Sequence, residues 1–490
     1  MTDTPGSILW YDLETSGTQP ASDRIYQFAA QRTDFNLQPI GEPINWLCQP
    51  DPDVLPSVDA CLVTGINPQD LEHNGLDAPE FVRKINAQMT HPGTCSAGYN
   101  SLRFDDEFIR HTFWRHFYDP YAREWQNGNS RWDIIDLARL CHALRPDRIH
   151  WPKDESGQTS FRLEKLAEAN GLSHRQAHDA LSDVEATIGL ARLIRQAQPR
   201  LYEYYFKLRS KHQARHYLPL ENAAPVLHVS SRYPRERGCL AMVLPLAQHP
   251  VNGNSVIVFD LSSSPEDLLN EPVDLLEDLL YTPAADLPED RQRLAIKTIQ
   301  LNKSPALAPL TVLREGDAAR LGLDIDRCHR HAEQLNQARP AVTEKLRELF
   351  AQRSAPDNSD PERQLYDGFL DNADRNRFAE LHAAAPAQLA EWQFNDPRLN
   401  GLLFNYRARY YPDTLSAHEH ETWQQHLQRR LVDGSEGNGM SFQAFFARIE
   451  EIRAEQARTP ANAELLDRLQ AWALDKQQAL SSALQIPQPS

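Results

Sequence analysis

The apolar positions change their spacing twice along the chain. In residues 1–199, short apolar runs alternate with stretches spaced at three and four residues. Ser7-Ile-Leu-Trp-Tyr-Asp-Leu-Glu14 predicts a first strand, Arg24 to Asp34 a second and Ile44 to Cys48 a third. Thr94 to Tyr99 predicts a further strand, leading into a helix over Asp105 to Phe117. Helical spacing recurs over Trp132 to Ala143, Phe161 to Asn170 and Asp179 to Gln196. The last of these sets Ala180, Val184, Thr187, Ile188, Ala191 and Ile194 along one face. Strands alternating with helices mark an α/β unit. Beyond residue 200 the period shortens. Val226 to Ser230, Cys239 to Leu244, Ser255 to Leu261 and Leu294 to Leu301 read as short strands between Pro and Gly turns, as in a small barrel or sandwich. A polar, proline-bearing stretch at 352–361 predicts a linker. From there the pattern is helical to the end, as in Gln364 to Leu370, Arg375 to Ala384, Glu419 to Leu431 and Ala461 to Leu484. The expected division is 1–199, 200–352 and 353–490. Gly434 to Gly439 follows a helix and lacks a trailing Lys, so it reads as a plain loop before Ser441 as an N-cap.

Length and composition narrow the classes. A chain of 490 residues, 41% hydrophobic and 24% charged, suits about three globular domains and not a disordered chain. No run of about 18 apolar residues exists to span a membrane. The first residues have neither a basic nor an apolar leader region, so no signal peptide is expected. The six cysteines stand singly and form no CxxC pair. They read as small buried hydrophobes in a reducing cytoplasm. The net charge of −17 argues against a polyanionic partner unless the cations are segregated.

Three acidic pieces change that picture. Asp12 and Glu14 sit at i and i+2 of the first strand and so share a face. Two carboxylates on an otherwise apolar strand are costly unless cations compensate them or the strand end reaches solvent. Gly98-Tyr-Asn-Ser-Leu-Arg-Phe-Asp105 places an acid at the start of a helix, where it also complements the helix dipole. Ala177-His178-Asp-Ala-Leu-Ser-Asp183 places a His just before a helix and an acid within it.

In this order and inside one α/β unit, the pieces resemble the 3′→5′ exonuclease superfamily with four acidic metal ligands and a catalytic His. The resemblance implies that Asp12, Glu14, Asp105 and Asp183 bind metal and that His178 is the general base. Gln27-Phe-Ala-Ala-Gln-Arg-Thr-Asp34, Thr64-Gly-Ile66, Asn129-Ser-Arg-Trp-Asp133, Ser160-Phe-Arg-Leu-Glu164 and Leu403-Phe-Asn-Tyr-Arg-Ala-Arg409 look like the bacterial exodeoxyribonuclease I family over nearly the whole chain. That family implies a ribonuclease H-like exonuclease domain of α/β fold, an SH3-like β domain and a helical domain. It further implies 3′→5′ processive degradation of single-stranded DNA to 5′-mononucleotides in repair and recombination, and a bacterial cytoplasmic monomer. Hard oxygen ligands suit two Mg²⁺ ions, with Mn²⁺ as a substitute.

Single-stranded DNA is held by aromatic stacking and a charged groove. In the first domain the candidates are Thr15, Ser16, Phe104, Arg131 and Trp132, the last equally a core residue. Residues 200–237 carry a net +5, including Lys207, Arg209, Lys211 and Arg215, interleaved with Tyr202, Tyr204, Tyr205 and Phe206. Arg407 and Arg409 offer a second clamp. The flanking segments are acidic, at −10 for 1–199 and −12 for 238–490, so DNA is expected on a basic seam beside the acids. Proteins of this resemblance also bind the acidic tail of single-stranded DNA-binding protein (SSB), with Arg145 and Arg314 as contacts. An RNA-trimming or proofreading exonuclease would use the same acidic set, and a non-catalytic DNA-binding adaptor would need none of it.

Overall fold

The computed structural model describes residues 6–173, 179–289, 291–351, 359–435, 439–455 and 460–484. His178, the linker residues 352–358 and the middle of the Gly434–Gly439 loop lie outside the described residues.

The first part is a mixed five-stranded sheet in the order β3-β2-β1-β4-β5. Its strands are β1 (Ser7–Thr15), β2 (Ile25–Thr33), β3 (Pro39–Leu47), β4 (Thr94–Gly98) and β5 (Ser130–Asp133). β1 runs antiparallel to β2 and parallel to β4, which is parallel to β5. β1 is therefore central and buried on both faces, which explains its near-continuous apolar run. One face (Ile8, Trp10) packs with Val184 and Ala191 of the Ala180–Ala197 helix. The other (Leu9, Tyr11, Leu13) packs with Phe81, Phe108 and Ile109.

In this sheet two boundaries differ from the sequence reading by several residues. β3 begins at Pro39, because its first five residues are exposed and carry no apolar signal. Residues Ser130–Asp133 form an edge strand, and the helix starts at Ile134, N-capped by the Asp133 carboxylate. Trp132 belongs to that strand.

The second part is a five-stranded antiparallel sheet in the order β10-β6-β7-β8-β9. The strands are β6 (Val226–Val229), β7 (Leu240–Gln248), β8 (Ser255–Asp260), β9 (Ile296–Gln300) and β10 (Ala306–Ala308). Its apolar face joins the β1 helix layer in one continuous core through the Ile134–Leu144 and Pro199–Lys207 helices.

The third part is helical and packs against the first through two apolar clusters and through buried ion pairs that include Arg24–Glu362 and Arg409–Asp53. Trp114 and Phe117 pack with Leu399, Leu402 and Tyr406 of the Pro397–Tyr410 helix. Val58 and Cys61 pack with Phe445, Leu466 and Trp472. All six cysteines are buried, and no helix among the described residues is long and apolar enough to cross a membrane.

Candidate active site

The strand pleat sends Asp12 and Glu14 to the face covered by the Ala180–Ala197 helix. Asp183, in the first turn of that helix, meets them there. Ligand oxygens of Asp12, Glu14 and Asp183 all lie within 4.8 Å of one another. Asp105 arrives from the C-terminal end of β4. Gly98 ends that strand, and a Cβ there would sit 2.8 Å from the Tyr11 carbonyl. The following loop is tied by Asp133, whose carboxylate accepts the backbone N–H groups of Asn100 (2.8 Å) and Leu102 (3.2 Å) while it caps the next helix. Asp133 was absent from the sequence candidates, although an Asp just before an apolar periodic run is a recognisable cap signal.

The charges in this cluster resist one another. Burial, then Asp183, Asp105 and Asp179, pushes the Glu14 carboxyl up to about 8. Burial, then Asp105, Asp183 and Glu14, raises Asp12 well above the carboxylate range. Burial raises Asp105 too, opposed by backbone hydrogen bonds that include Leu13. Four crowded carboxyls that cannot all ionise by themselves are what a pair of hard divalent cations stabilises. The donor set therefore fits the metal that the fold implies. Asp179 adds to the negative field and accepts the Ser182 N–H as helix N-cap. His178 directly precedes it in sequence.

The three consecutive acids separate. Asp105 faces the cluster. Asp106 turns into the core, where it accepts from Tyr11 (2.6 Å), Arg123 and Arg131 (2.7 Å). Glu107 pairs with Arg110 and Lys303 and bonds the Tyr366 hydroxyl.

Several expected DNA contacts are corrected by burial. Arg131 is spent on Asp106 and Glu124. Trp132 is fully buried among Trp10, Tyr202, Tyr205 and Phe206. Ser16 is fully buried and its hydroxyl accepts the Arg24 N–H. Thr15 is buried and donates to the Gly17 carbonyl. Arg407 pairs with Glu419 inside the helical part, and Arg409 pairs with Glu362 there and with Asp53 of the first part. The Tyr202–Phe206 aromatics form a core ridge, not an open face. Phe104 is half-buried against Phe108, one residue before Asp105.

The basic stretch is split by the fold. Lys207, Arg209 and Lys211 line a cavity of about 600 Å³ with Ser130 and Trp125. Arg215 lies on the neighbouring short helix, against the Gly253 carbonyl. Ser130 is paired with Cys95 and Cys95 with Ile8. That is six residues before Glu14, or roughly 20 Å along the strand. These cations stand at the wrong end of the sheet for a seam beside the acids. Arg232 and Arg235 of the same basic stretch stand at the other end, with cations from elsewhere in the chain. Arg103, Arg232, Lys297 and Lys303 line a cavity of about 470 Å³ between the two sheets. Arg139, Arg162, Lys165 and Arg235 line one of about 790 Å³. Ser231 borders both. Most of these residues were missed because they are scattered in sequence and gathered only by folding. Arg145 and Arg314 do meet, in a pocket of about 470 Å³ walled by Leu201, Tyr204, Pro309 and Val312.

Family models match three consecutive segments: Exonuclease over residues 9–191, Exonuclease I SH3-like domain over 209–352 and Exonuclease I C-terminal domain over 359–476. Exodeoxyribonuclease I of Haemophilus influenzae is 41% identical over 455 residues, 92% of this chain and 95% of its own. The chain belongs to the exodeoxyribonuclease I family. It is a hydrolytic nuclease built as an exonuclease domain, an SH3-like domain and a C-terminal helical domain. Among solved members of the family, the moderately thermophilic exonuclease I of Methylocaldum szegediense superposes with a TM-score of 0.90 at 47% identity, covering 96% of this chain and 99% of that one. Escherichia coli exonuclease I in complex with a dA16 oligonucleotide superposes at 0.91 with 39% identity, covering 96% and 100%. The E. coli enzyme is also known in a zinc-bound single-stranded DNA complex, and a further related structure is that of SSB/exonuclease I in complex with an inhibitor. A divalent metal is accordingly part of the family's chemistry.

Proposed function

We propose that this chain degrades single-stranded DNA from the 3′ end, processively, releasing 5′-mononucleotides, and that Mg²⁺ is its physiological metal, with Mn²⁺ as a substitute. The observation that carries this reading is the Asp12–Glu14–Asp183 cluster, with Asp105 beside it, at the end of a cation-lined seam. Asp12, Glu14, Asp105 and Asp183 would hold the two ions. Bound there, divalent cations supply a nucleophile at neutral pH and offset charge on the leaving 3′ oxygen. His178 takes the proton from the attacking water, a task suited to an imidazole near neutrality. Arg162, Lys165 and Arg232 hold successive phosphates and set the path of the strand. Phe104 and Phe369 are its stacking partners. Phe369 is 97% exposed, three residues after Tyr366, whose hydroxyl is fastened to Glu107.

The Arg145–Arg314 pocket suits the C-terminal tail of SSB. Its apolar walls accept side chains, and the two guanidiniums grip the terminal carboxylate. The E. coli relative solved with an oligonucleotide and the SSB/exonuclease I structure support these two partners. The biological role follows as trimming of 3′ single-stranded ends in repair and recombination, by a cytoplasmic monomer.

Matched DNA and RNA oligonucleotides, labelled at either end and incubated with Mg²⁺ or EDTA, test this function. A 5′-labelled DNA strand should shorten progressively while a 3′ label appears at once as mononucleotide. RNA should persist, and EDTA should stop the reaction. Equal loss of RNA, or release of a 5′ label first, would refute it.

A further inference from the structure

The helical domain places a buried glutamate, Glu362, behind the turn that follows β1. Two residues after Glu14 the chain turns. Ser16 N–H donates to the Arg24 carbonyl (2.8 Å), and Arg24 N–H donates back to the Ser16 hydroxyl (2.9 Å). The Arg24 guanidinium then donates through Nε to Asp51 (2.5 Å) and through Nη2 to Glu362 (2.8 Å). The same turn is gripped from a second side. Arg115, the last residue of the helix that begins with Asp105, donates to the carbonyls of Pro20 (3.0 Å), Ala21 (3.3 Å) and Asp23 (3.1 Å).

Glu362 opens a short segment, Pro361–Tyr366, that lies along this helix. Trp114 Nε1 donates to the Pro361 carbonyl (2.9 Å) near the helix end. Tyr366 bonds Glu107 near its start, two residues from Asp105. Glu362 also pairs with Arg409. Against the effect of burial, Arg409, Arg24 and Arg115 hold its carboxyl well below the usual range.

We infer that Glu362 is a positioning residue for the carboxylate centre, holding the β1 turn and the Asp105 helix in mutual register through Arg24 and Arg115. The inference rests on the reading of Asp12, Glu14, Asp105 and Asp183 as metal ligands. Its physical basis is charge balance. Guanidiniums do not deprotonate in proteins, and Arg24 and Arg115 stand together in a site closed to water. Without the Glu362 charge they repel, and an uncompensated buried charge relaxes by moving. Both arginines hold the 16–24 turn, so their movement displaces Glu14 on one side and Asp105 on the other. The helical domain on this account orders the active site.

The test is Mn²⁺ binding by the full chain without DNA, followed by electron paramagnetic resonance, alongside kcat and KM on a DNA oligonucleotide. Groups that orient metal ligands directly are worth 10–100-fold in affinity, and Glu362 acts one link further out, so Glu362→Gln should weaken Mn²⁺ binding roughly 5–10-fold. It should lower kcat at fixed Mn²⁺ and leave KM for DNA unchanged. Tyr366→Phe removes one hydroxyl, preserves folding and should shift Mn²⁺ affinity the same way by about 2–3-fold, well short of the 10–100-fold of a group that orients a metal ligand directly. Arg448→Ala breaks the pair with Asp59 (2.7 Å) elsewhere on the same interface and should leave Mn²⁺ affinity unchanged. Wild-type Mn²⁺ affinity in Glu362→Gln, or a loss no larger than in Arg448→Ala, overturns the inference. If Glu362→Gln does not fold, an unchanged Tyr366→Phe overturns it. Asp183→Asn separates the two readings: if that variant binds Mn²⁺ as well as wild type, it is the metal-ligand assignment that fails.

Discussion

Asp105, Asp106 and Glu107 are identical in charge to a reader of the sequence and differ completely in the fold. One faces the carboxylate cluster, one pairs with Arg123 and Arg131 in the core, and one anchors Tyr366 from another domain. Helical spacing of 100° per residue separates them, but only the register of the helix on β1 says which faces what. Trp132 is the reverse case. It sits in a run with Arg131 that looks like a nucleic-acid contact, yet it is fully buried. Asp12 and Glu14 were legible because the strand period is two and an acid pair on a buried face has few uses. Two outcomes follow at this scale. Trp132→Ala should cost about 3–5 kcal/mol in chemical denaturation, as for other buried tryptophans. Phe369→Ala should leave the denaturation midpoint unchanged and weaken oligonucleotide binding by about 1–3 kcal/mol, the value of one stacked base.

At the scale of elements, long periodic helices and apolar strands were legible, and β5 was not. Four residues are too short for a strand period to show beside a strong helix pattern. The Pro199–Lys207 helix shows why the basic, aromatic stretch misled. Its aromatic side is core and its cations point outward, so the two signals belong to opposite faces of one helix. The Asp105–Arg115 and Ile134–Leu144 helices also fix how stability responds to acid. Burial pulls His111, His116 and His142 down to about 4. The unfolded chain takes up these protons below about 6.5, whereas the fold refuses them until about 4. Their contribution is therefore complete above about pH 6.5 and is lost progressively as pH falls towards 4. Each should cost on the order of 1–2 kcal/mol by pH 5. Thermal melts at pH 7.5 and 5 should show a smaller drop for His116→Gln than for wild type. An identical drop would show that this histidine is protonated within the fold.

Across the whole molecule, the charge of −17 conceals a sorted surface. Cations from both sheets converge where β4 and β5 end, beside the acids, while Lys207, Arg209 and Lys211 gather at the other end. No local reading of the sequence could divide these sets, because the division depends on which strand ends coincide. Replacing Arg232 and Lys165 with Ala should flatten the salt dependence of DNA binding by about 1.4 in the logarithmic slope, the share of two phosphate contacts on a single strand. Replacing Lys207 and Lys211 should leave that slope unchanged; the converse result would move the DNA path to the far cavity. On the proposed function, the acids at the end of β1 perform the chemistry, separately from the cations that hold the strand. Single-turnover cleavage and equilibrium binding of one oligonucleotide, measured on the same preparations of wild type, Asp12→Asn and Asp183→Asn, test it most directly. The expected result is loss of cleavage in both variants with DNA affinity retained; near-wild-type cleavage in either variant would contradict the account.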